Sequence, residues 1–295
     1  MLGKGKIYYL SQAYLTLTEG YFRVINRTAQ PYLEKIRTPD VMSVIDKRRM
    51  PQQIVLDEDG WNIRSIEWDN RKSGDKSSNP GPSIFHDGDG NSVQSEITCL
   101  SYYRDRLFFG SNDTLFSSRL GDFDDLWLDD PGNITVADPL DLRVSSNSYT
   151  PITYLRPFRD FLFLATDGDT QFELLGSENT ISPLSAEIAP TSFYNMTPDI
   201  EPITMNNSLY FFGKRRMYIY FGEQSDSQVQ AMEVSINCPD YLPEHYNDIC
   251  VSTQYSTVYV TDKENTNTLY CYTNRINGDQ IVQNSFYRWI FSGGI

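Results

Sequence analysis

The chain repeats itself, and the repeat constrains the fold more than any other feature. ITCLSYYRDRLFFGSNDTLFSSRL begins at Ile97, ITYLRPFRDFLFLATDGDTQFELL at Ile152, ITMNNSLYFFGKRRMYIYF at Ile203 and ICVSTQYSTVYVTDKENTNTLYCY at Ile249, at intervals of 55, 51 and 46 residues. Each unit reads as a short strand, a kink, an aromatic strand, a polar turn and another aromatic strand. Runs of four to seven β-formers bounded by Gly, Asn and Asp predict strands rather than helices. The first two units also share Arg-Asp at the kink, Arg104-Asp105 and Arg159-Asp160. A further β-type run closes each unit: Leu140–Val144, Ser185–Ala189, Gln230–Ile236 and Phe286–Phe291.

Four strands per unit at this period is the spacing of propeller blades. A lone four-stranded sheet leaves two edges and one face unpaired, and blades packed about an axis cover the faces and shorten the edges. The expectation is an all-β fold: a propeller-like array of four-stranded antiparallel blades with a smaller, mainly-β N-terminal region. The competing reading is a β-sandwich with evenly spaced hairpins. With 20 Tyr and 16 Phe, the composition suits half-buried sheet surface, where rings pack and hydroxyls stay wet.

Three divisions follow. Residues 1–50 form a mainly-β, partly irregular region with strand-like pieces at Lys6–Leu10 and Tyr21–Ile25 and a basic stretch ending in Asp46-Lys47-Arg48-Arg49. Residues 51–96 hold a hairpin, QQIVL to WNIRSIEW around Asp57-Glu58-Asp59-Gly60, with a loop read as longer than the two-residue ideal, and then a Gly/Pro/Ser-rich linker, Asp69–Gly90. Residues 97–295 carry the four blades, starting near 97, 152, 203 and 249.

The net charge of −14 is uneven, because residues 1–50 carry nine Lys/Arg against four Asp/Glu. So acidic a body repels nucleic acid and anionic membranes. No apolar run approaches the ~20 residues of a membrane span. The start lacks a secretory h-region, which points to synthesis in a cytoplasm. Cys99, Cys238, Cys250 and Cys271 show no metal-type spacing and read as buried thiols.

Catalytic and ligand-binding patterns are weak. A triad would need His86 or His245, both in loops. Asp87-Gly88-Asp89-Gly90-Asn91 starts like a calcium loop, making Asp87, Asp89 and Asn91 weak metal candidates, but Ser92 and Thr98 stand where Gly and a bidentate Glu belong. Asp167-Gly168-Asp169 reads as a turn. Asp122, Asp124, Asp125, Asp129 and Asp130 could supply glycosidase carboxylates, yet they share one loop. No phosphate-binding glycine motif is present, so no cofactor is expected. The basic hairpin at Gly213–Tyr218 reads as a turn.

Several residues nevertheless form an ordered set. Met50-Pro51, Trp68, Gly74-Asp75, Asn79-Pro80 and Pro82-Ser83 come first. Then follow Arg104-Asp105-Arg106-Leu107, Ser118-Arg119 with Phe123 and Trp127, and Asp138-Pro139-Leu140-Asp141 before Val144-Ser145-Ser146-Asn147. Gln171-Phe172, Pro239-Asp240-Tyr241-Leu242-Pro243 and Trp289 complete it. Over about residues 50–295 this set resembles the nozzle proteins (tail tubular protein B) of short-tailed, autographivirus-type phages. The family's "RNRL", "SR…F.NF" and "DPID…VSTN" patterns are the ones matched. Asn79, Pro80, Arg106, Leu107, Ser118, Arg119, Trp127, Asp138, Pro139, Asp141, Pro239, Tyr241 and Pro243 are therefore expected as structural motif residues.

The resemblance implies a non-enzymatic virion protein at the distal tail: a homo-hexameric ring below the adaptor ring of tail tubular protein A. Such a ring helps hold the tail fibres and encloses the channel through which genomic DNA leaves without sequence-specific binding. Family members are considerably longer, so the chain is expected to be a central fragment, and residues 1–49 match less clearly. Two other readings stay open: a propeller glycosidase or depolymerase, and an adhesin that binds glycans through exposed Tyr and Trp.

Overall fold

The computed structural model describes residues 50–74, 78–85, 96–146, 149–176, 181–221, 231–277 and 280–295. Among residues 1–49 it describes the backbone of three strands, and of residues 276–281 no side chains. The described residues hold strands, turns and no helix, so none forms a helix that could cross a membrane.

At the N-terminus, β1 (Ile7–Leu10), β2 (Gly20–Ile25) and β3 (Tyr32–Ile36) make an antiparallel sheet in chain order. β4 (Gln52–Asp57) and β5 (Gly60–Ser65) form a ribbon in which Asp57 pairs Gly60. Its loop is thus two residues, Glu58-Asp59, shorter than the sequence reading. Asp57 takes the Asp59 N–H at 3.1 Å, and Gly60 sits at φ 111°, a conformation glycine supplies without steric cost.

Four antiparallel sheets follow, each a simple meander. The first has β6 (Cys99–Tyr103), β7 (Arg106–Ser111), β8 (Thr114–Ser117) and β9 (Asp141–Arg143). The second has β10 (Ile152–Phe158), β11 (Phe161–Thr166), β12 (Gln171–Leu175) and β13 (Glu187–Ser192). β14 (Ile203–Met205), β15 (Ser208–Gly213), β16 (Arg216–Tyr220) and β17 (Ala231–Glu233) make the third. β18 (Tyr246–Ser252), β19 (Thr257–Asp262), β20 (Thr268–Asn277) and β21 (Gln280–Ile290) make the fourth. The fourth blade's outer pair is far longer than the run Phe286–Phe291 suggested.

Strand alternation explains the stacking. On β7 and β8, Phe108 and Leu115 point to one face and Phe109 and Phe116 to the other. On β11, Leu162 and Leu164 join the core shared with blade 1, while Phe161, Phe163 and Ala165 join the core shared with blade 3. Blade 3 does the same: Leu209 and Phe211 face blade 2, and Tyr210 and Phe212 face Val258, Val260 and Tyr272 of blade 4. Middle strands buried on both faces read as continuous apolar runs, as FLFLAT and SLYFFG do. The other face of blade 1 is covered by Met50 and Trp68, which flank the hairpin, by Ile84 and Phe85 of the linker, and by Trp127. The architecture is therefore an all-β, propeller-like array of four blades.

Candidate functional site

The motif residues converge on one buried polar node between the linker and blade 1. Arg106, at the start of β7, is fully buried and donates to four backbone carbonyls: Ile181 (3.1 Å), Ser118 (2.8 Å), Asp138 (2.8 Å) and Val136 (2.6 Å). Its guanidinium thus holds the long blade-1 loop against the β12–β13 connection of blade 2. Burial pulls its pKa down to about 10, opposed by Asp138, so it stays charged near neutral pH. Leu107 donates its N–H to Ser118 Oγ at 3.0 Å.

Arg119 lies within 3.1 Å of Asp129, 3.5 Å of Asp125 and 3.8 Å of Asp138. Asp138, fully buried, accepts from Asp129 N (3.1 Å), Thr135 N (2.7 Å) and Thr135 Oγ1 (3.0 Å). Asn79 donates to Ser73 O (3.0 Å) and Leu128 O (2.9 Å). Trp127 donates its indole N–H to Asp69 O at 2.7 Å and lies beneath Arg71. Asp141 accepts from both Ser83 N (2.8 Å) and Ser83 Oγ (2.6 Å). Linker and blade are pinned by charge-assisted hydrogen bonds, the strong class of such contacts. Pro80 and Pro139 flank these residues in chain order.

Pro239, Tyr241 and Pro243 lie elsewhere, on the connection between blades 3 and 4. Pro243 O accepts the Arg215 N–H at 3.1 Å, and Tyr241 meets Tyr270 and Phe286 edge-on.

The acidic loop is part of the node. Asp125 is fully buried, ion-paired with Lys72 and accepting from Trp127 N at 3.1 Å. Asp129 is held by Arg119, and Asp130 accepts the Gly132 N–H at 2.9 Å. Asp69, Asp122 and Asp125 gather as a metal centre would, but Lys72 lies 3.0 Å from Asp69 and contacts Asp125, supplying the cation itself. Burial and the adjacent Asp122 raise the Asp124 carboxyl above its ordinary range. The metal candidates Asp87, Asp89 and Asn91, with His86 and Lys47-Arg48-Arg49, lie outside the described residues. His245 Nδ1 is 3.5 Å from Asp199, which Lys263 also holds at 2.8 Å. The two arginines of the basic hairpin are paired with acids: Arg215 faces Asp240 and Glu244, and Arg216 meets Glu233 at 2.7 Å. A cleft of about 550 Å³ beside it is lined by Asp167, Asp169, Phe193, Lys214 and Tyr218.

One feature gave only a faint sequence signal, the shared Arg-Asp. Arg104 donates to Asp160 O of the next blade at 2.9 Å, and Arg159 to Asn207 O of the blade after at 2.8 Å. Asn206 reaches Ser256 Oγ at 3.5 Å. The turns of the inner strands are thereby clasped in series.

The described polar side chains of the node hold blades and linker together, as the parts of a structural assembly do. The sequence profile described as bacteriophage nozzle protein matches residues 21–295, and the chain belongs to that family of phage tail components. It is similar to tail tubular protein gp12 of Escherichia phage T7, with 25% identity over 252 residues, 83% of this chain and 30% of that protein. The chain thus spans about a third of the curated relative's length. Solved structures with a related outline include the β-propeller domain of Myceliophteria thermophila Cps50 (Swd1), with TM-score 0.39, 10% identity, and 68% and 59% of the two chains covered. Another is a 6-phosphogluconolactonase-like protein of Bacteroides uniformis, with TM-score 0.45, 9% identity, and 92% and 78% covered.

Proposed function

We propose that the protein is a subunit of the phage tail nozzle: a homo-hexameric ring that meets the adaptor ring of tail tubular protein A, helps hold the tail fibres and encloses the channel for outgoing DNA. The observation that carries this reading is the family match across residues 21–295. The net charge of −14 supports it, since a conduit for a polyanion should repel rather than grip it. The pairing of Arg215 and Arg216 with acids points the same way. The reading places the protein in the virion tail after synthesis in the host cytoplasm, and divides the chain into an N-terminal region (1–50), a hairpin and linker (51–96) and the blades (97–295).

Catalysis has no part in this role, because the acids of the blade-1 loop serve the node. The decisive experiment is assembly. The full-length protein, alone and with its adaptor ring, is expected to form six-fold rings in electron micrographs; a monomer under both conditions would refute the proposal. A polysaccharide-hydrolysis assay is expected to show no activity sensitive to Asp124→Asn.

A further inference from the structure

The cleft of about 550 Å³ opens where blades 2 and 3 meet. One wall is the β11–β12 turn, with Asp167 and Asp169, and the other is the β15–β16 turn, with Lys214. Phe193 follows β13 directly and stands at the rim, 78% exposed. The stacked rings of Tyr194 and Tyr218, with centroids 4.4 Å apart at 21°, lie deeper. The volume falls within the roughly 300–1,000 Å³ of small-molecule clefts.

The cleft is held in shape from within. Gln171 is fully buried, accepts the Thr166 N–H at 2.8 Å and donates to Gly168 O at 3.2 Å and Tyr194 O at 3.1 Å, tying one wall to the segment after β13. Thr197 donates its N–H to Phe212 O at 2.7 Å, tying that segment to blade 3. Gly213 approaches so closely that a Cβ there would come 2.6 Å from Asn195 O. Within this frame several polar groups are unused. Tyr218 is only 4% exposed and lines the cleft, yet its hydroxyl makes no hydrogen bond among the described residues. A buried phenol normally has a partner. Burial and Glu233 push it up to about 12, so it stays a donor near neutral pH. Asp167 and Lys214 form no ion pair among the described residues, whereas Arg216 is held by Glu233.

We propose that this cleft binds a neutral pyranose unit of a glycan, with the apolar ring face on Phe193 and the hydroxyls on Asp167, Lys214 and Tyr218. A pyranose has a C–H face that packs on an aromatic ring and a rim of hydroxyls that both donate and accept. Its site needs an exposed ring beside acceptors, donors and groups that do both, which a carboxylate, an ammonium and a phenol supply. Opposite charges on the two walls disfavour a charged sugar, since an anion meets Asp167 and Asp169 and a cation meets Lys214. A wholly apolar ligand would bury the phenol and the charges without partners. The role is binding, because Asp167 and Asp169 belong to one turn and do not flank a bond as glycosidase carboxylates do. It stands beside the ring role and does not depend on it.

The test is saturation-transfer NMR on the full-length protein with the methyl glycosides of glucose, galactose, mannose and N-acetylglucosamine. At least one of them should receive saturation at its ring C–H protons. Phe193→Ala is expected to weaken that binding about tenfold and Tyr218→Phe about fivefold. Both variants should keep the wild-type melting temperature, because Phe193 is exposed and the Tyr218 hydroxyl bonds to nothing in the fold. No transfer to any of the four sugars would overturn the proposal. So would binding that is unchanged in both variants, which would put the sugar elsewhere, or a Tyr218→Phe protein that melts lower, which would make the hydroxyl a structural group. Ring assembly of Phe193→Ala in electron micrographs should match wild type. Its loss, with no sugar bound by wild type, would make the cleft a subunit contact instead and leave the ring reading standing.

Discussion

Arg106 is the residue whose removal should matter most. Its four carbonyl partners belong to residues 118, 136, 138 and 181, and the bonds to 118, 138 and 181 are buried. Arg106→Met should destabilise by about 3–5 kcal/mol, because fixed acceptors lose a charged donor; urea unfolding at 25 °C measures it, and a cost below about 1 kcal/mol would refute the role. Gly110 is a second fixed point. A Cβ there would come 2.4 Å from Cys99 Sγ and 3.2 Å from Ile152 Cγ2. Gly110→Ala should cost about 1–3 kcal/mol, and adding Cys99→Ala should recover most of it. Glu173 carries a pH signature. Burial raises its carboxyl above the ordinary range, only partly offset by the bond it accepts from Tyr220 at 2.7 Å. The native state therefore holds this proton more tightly than the unfolded chain. Stability from this group falls as pH rises from the ordinary carboxylate pKa through the raised one, and stays lower above it. Glu173→Gln keeps an acceptor for Tyr220 without the charge. Its melting temperature should exceed wild type at pH 7, with the gap closing toward about pH 4; a gap independent of pH would count against the assignment.

At the level of strands and turns, much was legible, and the exceptions share a cause. The short continuous apolar runs FLFLAT and SLYFFG and the polar turns that bound them mark strands by local rules, so blade order followed from chain order. The inner turns were not legible in the same way. Arg104, Asp105 and Arg159 adopt φ of 45°, 56° and 49°, a region that favours Gly and Asn. For the two arginines the reason is a carbonyl on the next blade, about fifty residues away. The node is similar: Asn79, Arg106 and Asp138 were recognisable as motif residues, but no spacing rule says that they serve one network. Conversely, the run of loop acids suggested chemistry only because Lys72 and Arg119, which neutralise it, are remote in sequence or role. Replacing Arg104 and Arg159 together by Asn keeps the turn conformation and removes both clasps and the cation–π contacts with Tyr103 and Phe158. The expected loss is about 1–2 kcal/mol, with faster hydrogen exchange concentrated at the inner turns of blades 1 to 3. Unchanged exchange there would make the clasps incidental.

For the whole molecule, stacking makes stability a sum of blade and interface contributions, as in other repeat architectures. The interfaces are unequal. Blade 2 has a fully buried strand, β11, and a core on each side, with Phe163 against both Phe211 and Tyr220 of blade 3. Blade 1 is closed by the linker and the node. Among the described residues blade 4 contributes to one core, and the side chains of β21 from Val282 to Ile290 are half-buried or exposed. Opening of a single blade from the end should therefore need less free energy than opening within the array. Native-state hydrogen exchange of the monomer is expected to show amides of β20 and β21 exchanging through a sub-global opening, while those of β11 and β12 exchange only with global unfolding. If β21 exchanges with the global transition in the monomer, the blades behave as one cooperative unit and the additive picture fails.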